Sequence, residues 1–234
     1  TACFLFTSSC SDFLDEEHKT KYSSEYVFGT PEGLKLAVNA LYALQRYYAN
    51  DTENATIFAL ERGTDLAVTN GGTGNFYGIY DPNYLKPSAS QVGFMWRTMY
   101  QIIGKANEII AAAEDLEDTP SLRATVSEAK CFRAQSYFLL YRTFDRIWLN
   151  MLPTTAENVN DPRDFHAASE KEVFELIYED LEYAITNLDW VSDEAGRFTQ
   201  AAARHMKAKA ALWLKDWDTT LEQVEEIEKS GHFD

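Results

Sequence analysis

Two groups of residues in this sequence have the types and spacing to do chemistry. The first is Cys10. Residues 1–9 are uncharged and become small at Ser8 and Ser9, immediately before it. That order suits a lipoprotein-processing enzyme, which needs an apolar run, small residues and then a cysteine to acylate. Thr7 stands where Leu is usual, and a short buried strand holding a cysteine is the alternative. The second group is aromatic. Phe76, Tyr77, Tyr80, Tyr84, Phe94, Trp96 and Tyr100 crowd together, with Asn70, Asn75 and Asp81 among them and Asp65 just before. Sugars present C–H faces that stack on rings, while Asn and Asp bind their hydroxyls. Tyr, Asn and Gly in one loop suit adaptable recognition. The candidate ligand contacts are therefore Asp65, Asn70, Asn75, Tyr77, Tyr80, Tyr84 and Trp96. Against this, Phe94, Trp96 and Tyr100 fall on a helical repeat, where core packing is the plainer reading.

Signatures of catalysis are missing. The sequence holds no Gly-x-Ser-x-Gly, no His-Glu-x-x-His, no Cys-x-x-Cys and no Gly-x-x-x-x-Gly-Lys. The four histidines, at 18, 166, 205 and 232, have no ligand spacing, so neither metal nor cofactor is expected. Carboxylates are abundant, and paired ones run glycosidases, but most here map to the outer faces of amphipathic helices. Gly71-Gly72-Thr73-Gly74 lacks the strand–helix frame of a phosphate cradle. Arg133 sits among apolar residues and is expected to pair with a helix carboxylate, Glu128 or Asp180.

Composition sets outer bounds. The 234 residues include 21 Lys and Arg against 37 Asp and Glu, a net charge of −16 that repels nucleic acid. A hydrophobic content of 45% excludes a disordered chain. No apolar run reaches the ~18 residues of a membrane span. The cysteines are Cys3, Cys10 and Cys131. If Cys3 is removed with a leader and Cys10 is acylated, one thiol remains and no internal disulfide can form. Cys131 then reads as inert core. Acyl chains anchor at about 0.8 kcal/mol per buried methylene, and two or more hold stably.

The elements that must position these groups are helices. Thr30 and Pro31 open an amphipathic helix running to about Ala49. Residues 50–90 are irregular, broken by Asn70–Asn75, Asp81-Pro82 and Lys86-Pro87. Helical periodicity resumes from Gln91 to about Glu114 and from Ser121 to about Arg146. A fourth helix opens with a capping box at Ser169 and Glu172. Two more cover Thr199–Lys215 and Asp218–Ser230, closed by Gly231. Ala134–Leu140 and Ala208–Leu214 match in pattern, Ala134 with Ala208 and Leu140 with Leu214. Small residues admit a close neighbouring helix, and Trp217 is placed to fill the wedge at the turn. The fold class expected is mainly α, tetratricopeptide-like helical repeats with a long irregular loop insertion; an ordinary helical bundle is the alternative. Thr1 in place of Met, and a helix stop just before Asp234, read as cuts in a longer protein. Residues 1–9 would be residual signal peptide, 10–30 a lipid-anchored acidic tether, and 31–234 the helical domain, shortened at its C-terminal end.

Several motifs resemble one family. Glu128-Ala-Lys-Cys-Phe-Arg-Ala-Gln-Ser-Tyr-Phe-Leu-Leu140 resembles the Glu-Ala-Arg-x-Leu-Arg-Ala-x-x-Tyr-Phe-x-Leu helix of the SusD/RagB family. Trp96-x-x-x-Tyr100-x-x-Ile103-x-x-x-Asn107 resembles an earlier helix. Glu172–Ala184, then Gly196-Arg197-x-Thr199 with Ala202–Leu214 and Trp217, resemble later ones. Cys10-Ser-Asp-Phe-Leu-Asp15 extends the likeness to the start, in order. The family's Gly-Asp-x-Pro turn is replaced here by Phe144-Asp-Arg-Ile-Trp-Leu149. Family members are about twice as long.

The resemblance implies a surface lipoprotein of Bacteroidetes, held in the outer membrane by lipid on Cys10. The acidic stretch Ser11–Glu17 resembles their surface-export signal. Such proteins capture oligosaccharides or other nutrients and pass them to a SusC-like TonB-dependent transporter, which their tetratricopeptide units face. They bind and do not catalyse. A tetratricopeptide adaptor binding only protein is the alternative, and a glycosidase a third. A shortened solenoid would expose an apolar face and self-associate.

Overall fold

The structure, a computed structural model, describes residues 22–50, 86–88, 90–155, 158–162 and 165–233. Among the described residues every regular element is a helix. They are α1 (Ser24–Gly29), α2 (Pro31–Asn50), α3 (Ser90–Ala113), α4 (Pro120–Phe144), α5 (Glu170–Asn187), α6 (Gln200–Leu214) and α7 (Trp217–Lys229). Each helix packs most heavily on its neighbours in sequence, α4 on α3 and α5, and α6 on α5 and α7. That up-and-down stacking is the architecture of helical-hairpin repeats.

Caps set the helix ends. Thr30 closes one helix and opens the next: its Oγ1 donates to the Tyr26 carbonyl at 2.8 Å and accepts the Gly33 N–H at 3.0 Å. Gly33 is where α1 crosses α2, and a Cβ there would stand 2.2 Å from the Tyr26 carbonyl oxygen. The capping box at Ser169 and Glu172 is complete. Asp145 stops α4 at φ 61°, its N–H donating to the Tyr141 carbonyl at 3.0 Å. The next N–H, of Arg146, donates to the Phe144 carbonyl at 2.6 Å, so the chain turns tightly at Asp145 as a γ-turn does. Lys215 ends α6 in the left-handed conformation, and Asp216 caps α7 through the Thr219 N–H.

The core runs through the middle of the stack. Leu34, Val38 and Leu41 of α2 meet Met99, Ile102 and Ala106 of α3 and Phe132, Tyr137 and Leu140 of α4. Phe174, Ile177 and Leu181 of α5 continue it. Cys131 is fully buried, and burial pushes its thiol well up, so it is inert packing as expected. Ala201, Ala203, Ala208, Ala210 and Ala211 are buried on α6, which lets α5 and α7 approach. Trp217 departs from expectation: it is 57% exposed and fills no wedge.

Candidate functional site

After α4, residues 146–150 are non-helical, and three polar side chains grip their backbone. Tyr100 of α3 donates its hydroxyl to the Trp148 carbonyl at 2.8 Å and accepts the Trp148 N–H at 2.9 Å. Tyr137 of α4 does the same for Asn150, at 2.8 Å in both directions. Asn107 adds a donor to the Asn150 carbonyl at 2.7 Å. On the opposite edge, the Ile147 carbonyl accepts from the Ala168 N–H at 2.8 Å. The alternation is that of a β-strand. Here two phenol hydroxyls take the place of a partner strand.

The grip has a charged foundation. Arg133 donates from Nη1 to Asn107 Oδ1 at 2.8 Å, which turns the Asn107 amide N–H₂ toward Asn150. Its Nε and Nη2 each reach a different oxygen of Asp180 at 2.7 Å. Lys130 also donates to Asp180, at 2.8 Å. Burial pushes the Tyr100 and Tyr137 hydroxyls above the usual phenol range. Both therefore remain protonated donors throughout the neutral range.

Above the grip lies a run of rings. Trp96 packs on Phe144 and Tyr100 at centroid separations of 5.0 and 4.9 Å. Tyr100 stacks on Trp148 at 6.2 Å, and Trp148 tilts against Phe165 at 4.8 Å. Trp96 is 36% exposed and Phe165 71% exposed. Rings held in place by one another, with Trp96 and Phe165 exposed at the two ends, offer apolar area at low conformational cost.

Among the sequence candidates for ligand contact, Trp96 alone falls within the described residues. It stands at the open end of this run, while Phe94 lies in the core and Tyr100 beneath the ring surface. The core reading of Trp96 is thereby corrected. Cys10, Asp65, Asn70, Asn75, Tyr77, Tyr80 and Tyr84 lie outside the described residues. Arg133 pairs with Asp180 and not with Glu128. Glu128 is instead held by Arg197, at 2.7 Å, and by the Tyr42 hydroxyl. Trp148 and Phe165 were missed from sequence. The available signal was two aromatic residues flanking the Pro153 and Pro162 breaks, in a segment without helical period.

A second cleft of about 570 Å³ opens between α2, α4 and the α5–α6 connection. Its cations are paired, Lys35 with Glu194 at 3.2 Å and Arg197 with Glu128. Burial raises the Glu128 carboxyl despite Arg197. Among the described residues no group of His, Cys, Asp or Glu is arranged to hold a metal ion. None of the described helices is long and apolar enough to cross a membrane.

Comparison with known proteins gives a consistent result. A SusD-like family profile, described as starch-binding and associating with the outer membrane, matches residues 12–212. A SusD-like protein of Bacteroides ovatus is 27% identical over 232 residues, covering 93% of this chain and 39% of its own length. SusD-like protein P2 of Formosa agariphila is 30% identical over 209 residues, covering 88% of this chain and 39% of its own. Among solved structures, a laminarin-binding SusD-like protein superposes with a TM-score of 0.73 at 25% identity, over 84% of this chain and 43% of that one. The chain thus spans about two fifths of the length of the curated relatives it matches.

Proposed function

The chain belongs to the SusD-like family, and from that premise we propose that the protein captures glycans, with Trp96, Trp148 and Phe165 as part of the contact surface. The observation that carries this reading is the run of rings from Trp96 through Tyr100 and Trp148 to Phe165, exposed at Trp96 and Phe165. A sugar ring laid on such a surface buries its C–H face, and neighbouring amides and carboxylates bind its hydroxyls. The loop candidates Asp65, Asn70, Asn75, Tyr77, Tyr80 and Tyr84 belong to the same proposal. They precede Trp96 in the sequence, and Trp96 opens to solvent.

The finer reading follows the family. Lipid on Cys10 anchors the protein in the outer membrane at the cell surface. A SusC-like TonB-dependent transporter receives the oligosaccharide, and the protein itself cleaves nothing. Two relatives support glycan as the ligand class: the laminarin-binding SusD-like protein and a structure with xylogluco-oligosaccharide, which superposes with a TM-score of 0.70.

The test is affinity electrophoresis of the purified protein through gels containing laminarin, xyloglucan or starch, followed by calorimetry with whichever glycan retards it. Trp96→Ala is expected to weaken that binding by about tenfold or more, as truncating a central aromatic contact does. A protein that no glycan retards, while a barrel partner co-purifies with it, would favour the adaptor reading.

A further inference from the structure

We propose that Tyr100, Tyr137 and Asn107 are positioning residues for ligand capture, which hold residues 146–150 extended so that Trp148 joins Trp96 and Phe165 in one ring surface. The inference rests on the capture reading above and adds the residues that build the surface without touching the ligand. Its ground is geometric. An extended segment leaves N–H and C=O groups on both edges that need partners. One edge of this segment meets Tyr100 at Trp148 and Tyr137 at Asn150, two residues apart, each hydroxyl serving donor and acceptor at once. A water molecule could satisfy the same groups but would fix no direction. A phenol hydroxyl on a packed helix fixes both position and direction, because its ring is held by the core. Tyr137 is wholly buried, and Asn107 is 1% exposed.

The grip also sets where the rings lie. The Tyr100 ring stacks on Trp148 while its hydroxyl holds the Trp148 backbone, so one residue controls both the ring's support and its anchor. Trp96 lies one helical turn before Tyr100 on α3 and packs against it. Helix α3 therefore sets the spacing between Trp96 and Trp148. The Arg133–Asn107 hydrogen bond orients Asn107 and ties the grip to the α4–α5 ion pair.

Two measurements test this in the whole protein. Tyr100→Phe keeps the ring and removes only the hydroxyl. Amide hydrogen exchange is expected to accelerate about tenfold or more at Trp148 in Tyr100→Phe and at Asn150 in Tyr137→Phe, with α3 and α4 amides unchanged. Glycan affinity is expected to fall about tenfold in Tyr100→Phe and in Trp148→Ala, with the double variant no weaker than Trp148→Ala alone. Additive losses in the double variant would overturn the inference, because Tyr100 would then act independently of Trp148. Glycan binding that survives Tyr100→Phe or Trp148→Ala unchanged overturns it and leaves the capture reading standing. A wild-type protein that binds no glycan overturns both.

Discussion

Arg133 and Asp180, on α4 and α5, face each other through two parallel hydrogen bonds of 2.7 Å, with Asp180 fully shut from solvent and Arg133 nearly so. The guanidinium fork matches the two carboxylate oxygens, and Lys130 brings a second cation to Asp180. Removing the carboxylate leaves two cations facing a low-dielectric interior. Breaking a buried pair in this way costs about 3–5 kcal/mol. Asp180→Ala is expected to lose stability on that scale, measured as a lower urea midpoint with unchanged slope. A loss below 1 kcal/mol would show that water enters the site and solvates Arg133.

The α5 capping box makes a prediction about acid. Ser169 donates its hydroxyl to Glu172 at 2.6 Å, and its backbone N–H donates at 2.8 Å. These bonds hold the Glu172 carboxyl below its ordinary value of 4.5. A lowered folded-state value means stability that is fully present above the unfolded value and is lost as pH falls through the folded one. Ser169→Ala removes the hydroxyl and is expected to cost about 1 kcal/mol at neutral pH. Its deficit relative to wild type should shrink below pH 4.5, where Glu172 protonates. Thermal melts of both proteins across that range check it, and a deficit independent of pH would mean Ser169 acts without Glu172.

Two glycines should respond in opposite directions to alanine. At Gly33 a Cβ would meet the Tyr26 carbonyl oxygen at 2.2 Å and Val27 backbone atoms at 2.6 Å. None of these is a flexible side-chain end, so α1 must move away from α2. Gly33→Ala is expected to destabilise by about 1–3 kcal/mol, the usual cost of overpacking. At Gly104, inside α3, a Cβ meets nothing within 4 Å. Gly104→Ala is expected to stabilise by about 0.8–1 kcal/mol through helix propensity. Differential scanning calorimetry of the two variants settles the pair, and equal shifts of the same sign would contradict it.

Helix positions were legible because their signals are local. Ser169 and Glu172 form their box within one turn, and the apolar spacing of Val173, Phe174, Ile177 and Leu181 survives as a buried face. The short helix Ser24–Gly29 carries no such period and buries no residue, so the sequence reading leaves it within the 10–30 tether. Choosing Asp180 over Glu128 for Arg133 needed the packing of α5 on α4. Glu128 shares a helix with Arg133 but is turned toward Arg197, 69 positions away. The ring surface was harder still. Residues 146–150 alternate like a strand, yet their partners are tyrosines on two helices, 48 and 13 positions back. No sequence pattern announces a strand whose neighbour is a pair of phenols. The family resemblance points to glycan capture, but Trp148 falls in the segment Phe144–Leu149 that departs from the family pattern.

The outer face of α7 gives the last prediction. Trp217, Leu221 and Val224 recur at four- and three-residue steps and are 57%, 59% and 41% exposed. Leu212 and Trp213, at the end of α6, are also exposed, at 52% and 48%. The opposite face of α7 buries Gln223, which accepts from Arg204 at 2.9 Å, so the stripe is not the side on which α7 packs. Repeat stacks stay soluble when their terminal units present polar outer faces, and this one presents two tryptophans and three aliphatic side chains. The 234-residue chain on its own is therefore expected to self-associate through α7. Sedimentation velocity should show species larger than the 26.6 kDa monomer, rising with protein concentration. Leu221→Glu with Val224→Glu should return it to the monomer, since two carboxylates brought face to face across such a contact repel and resist desolvation. Both positions are exposed, so helix content should not change. A wild-type chain that sediments as a monomer at every concentration would refute the prediction, as would association that survives the double substitution.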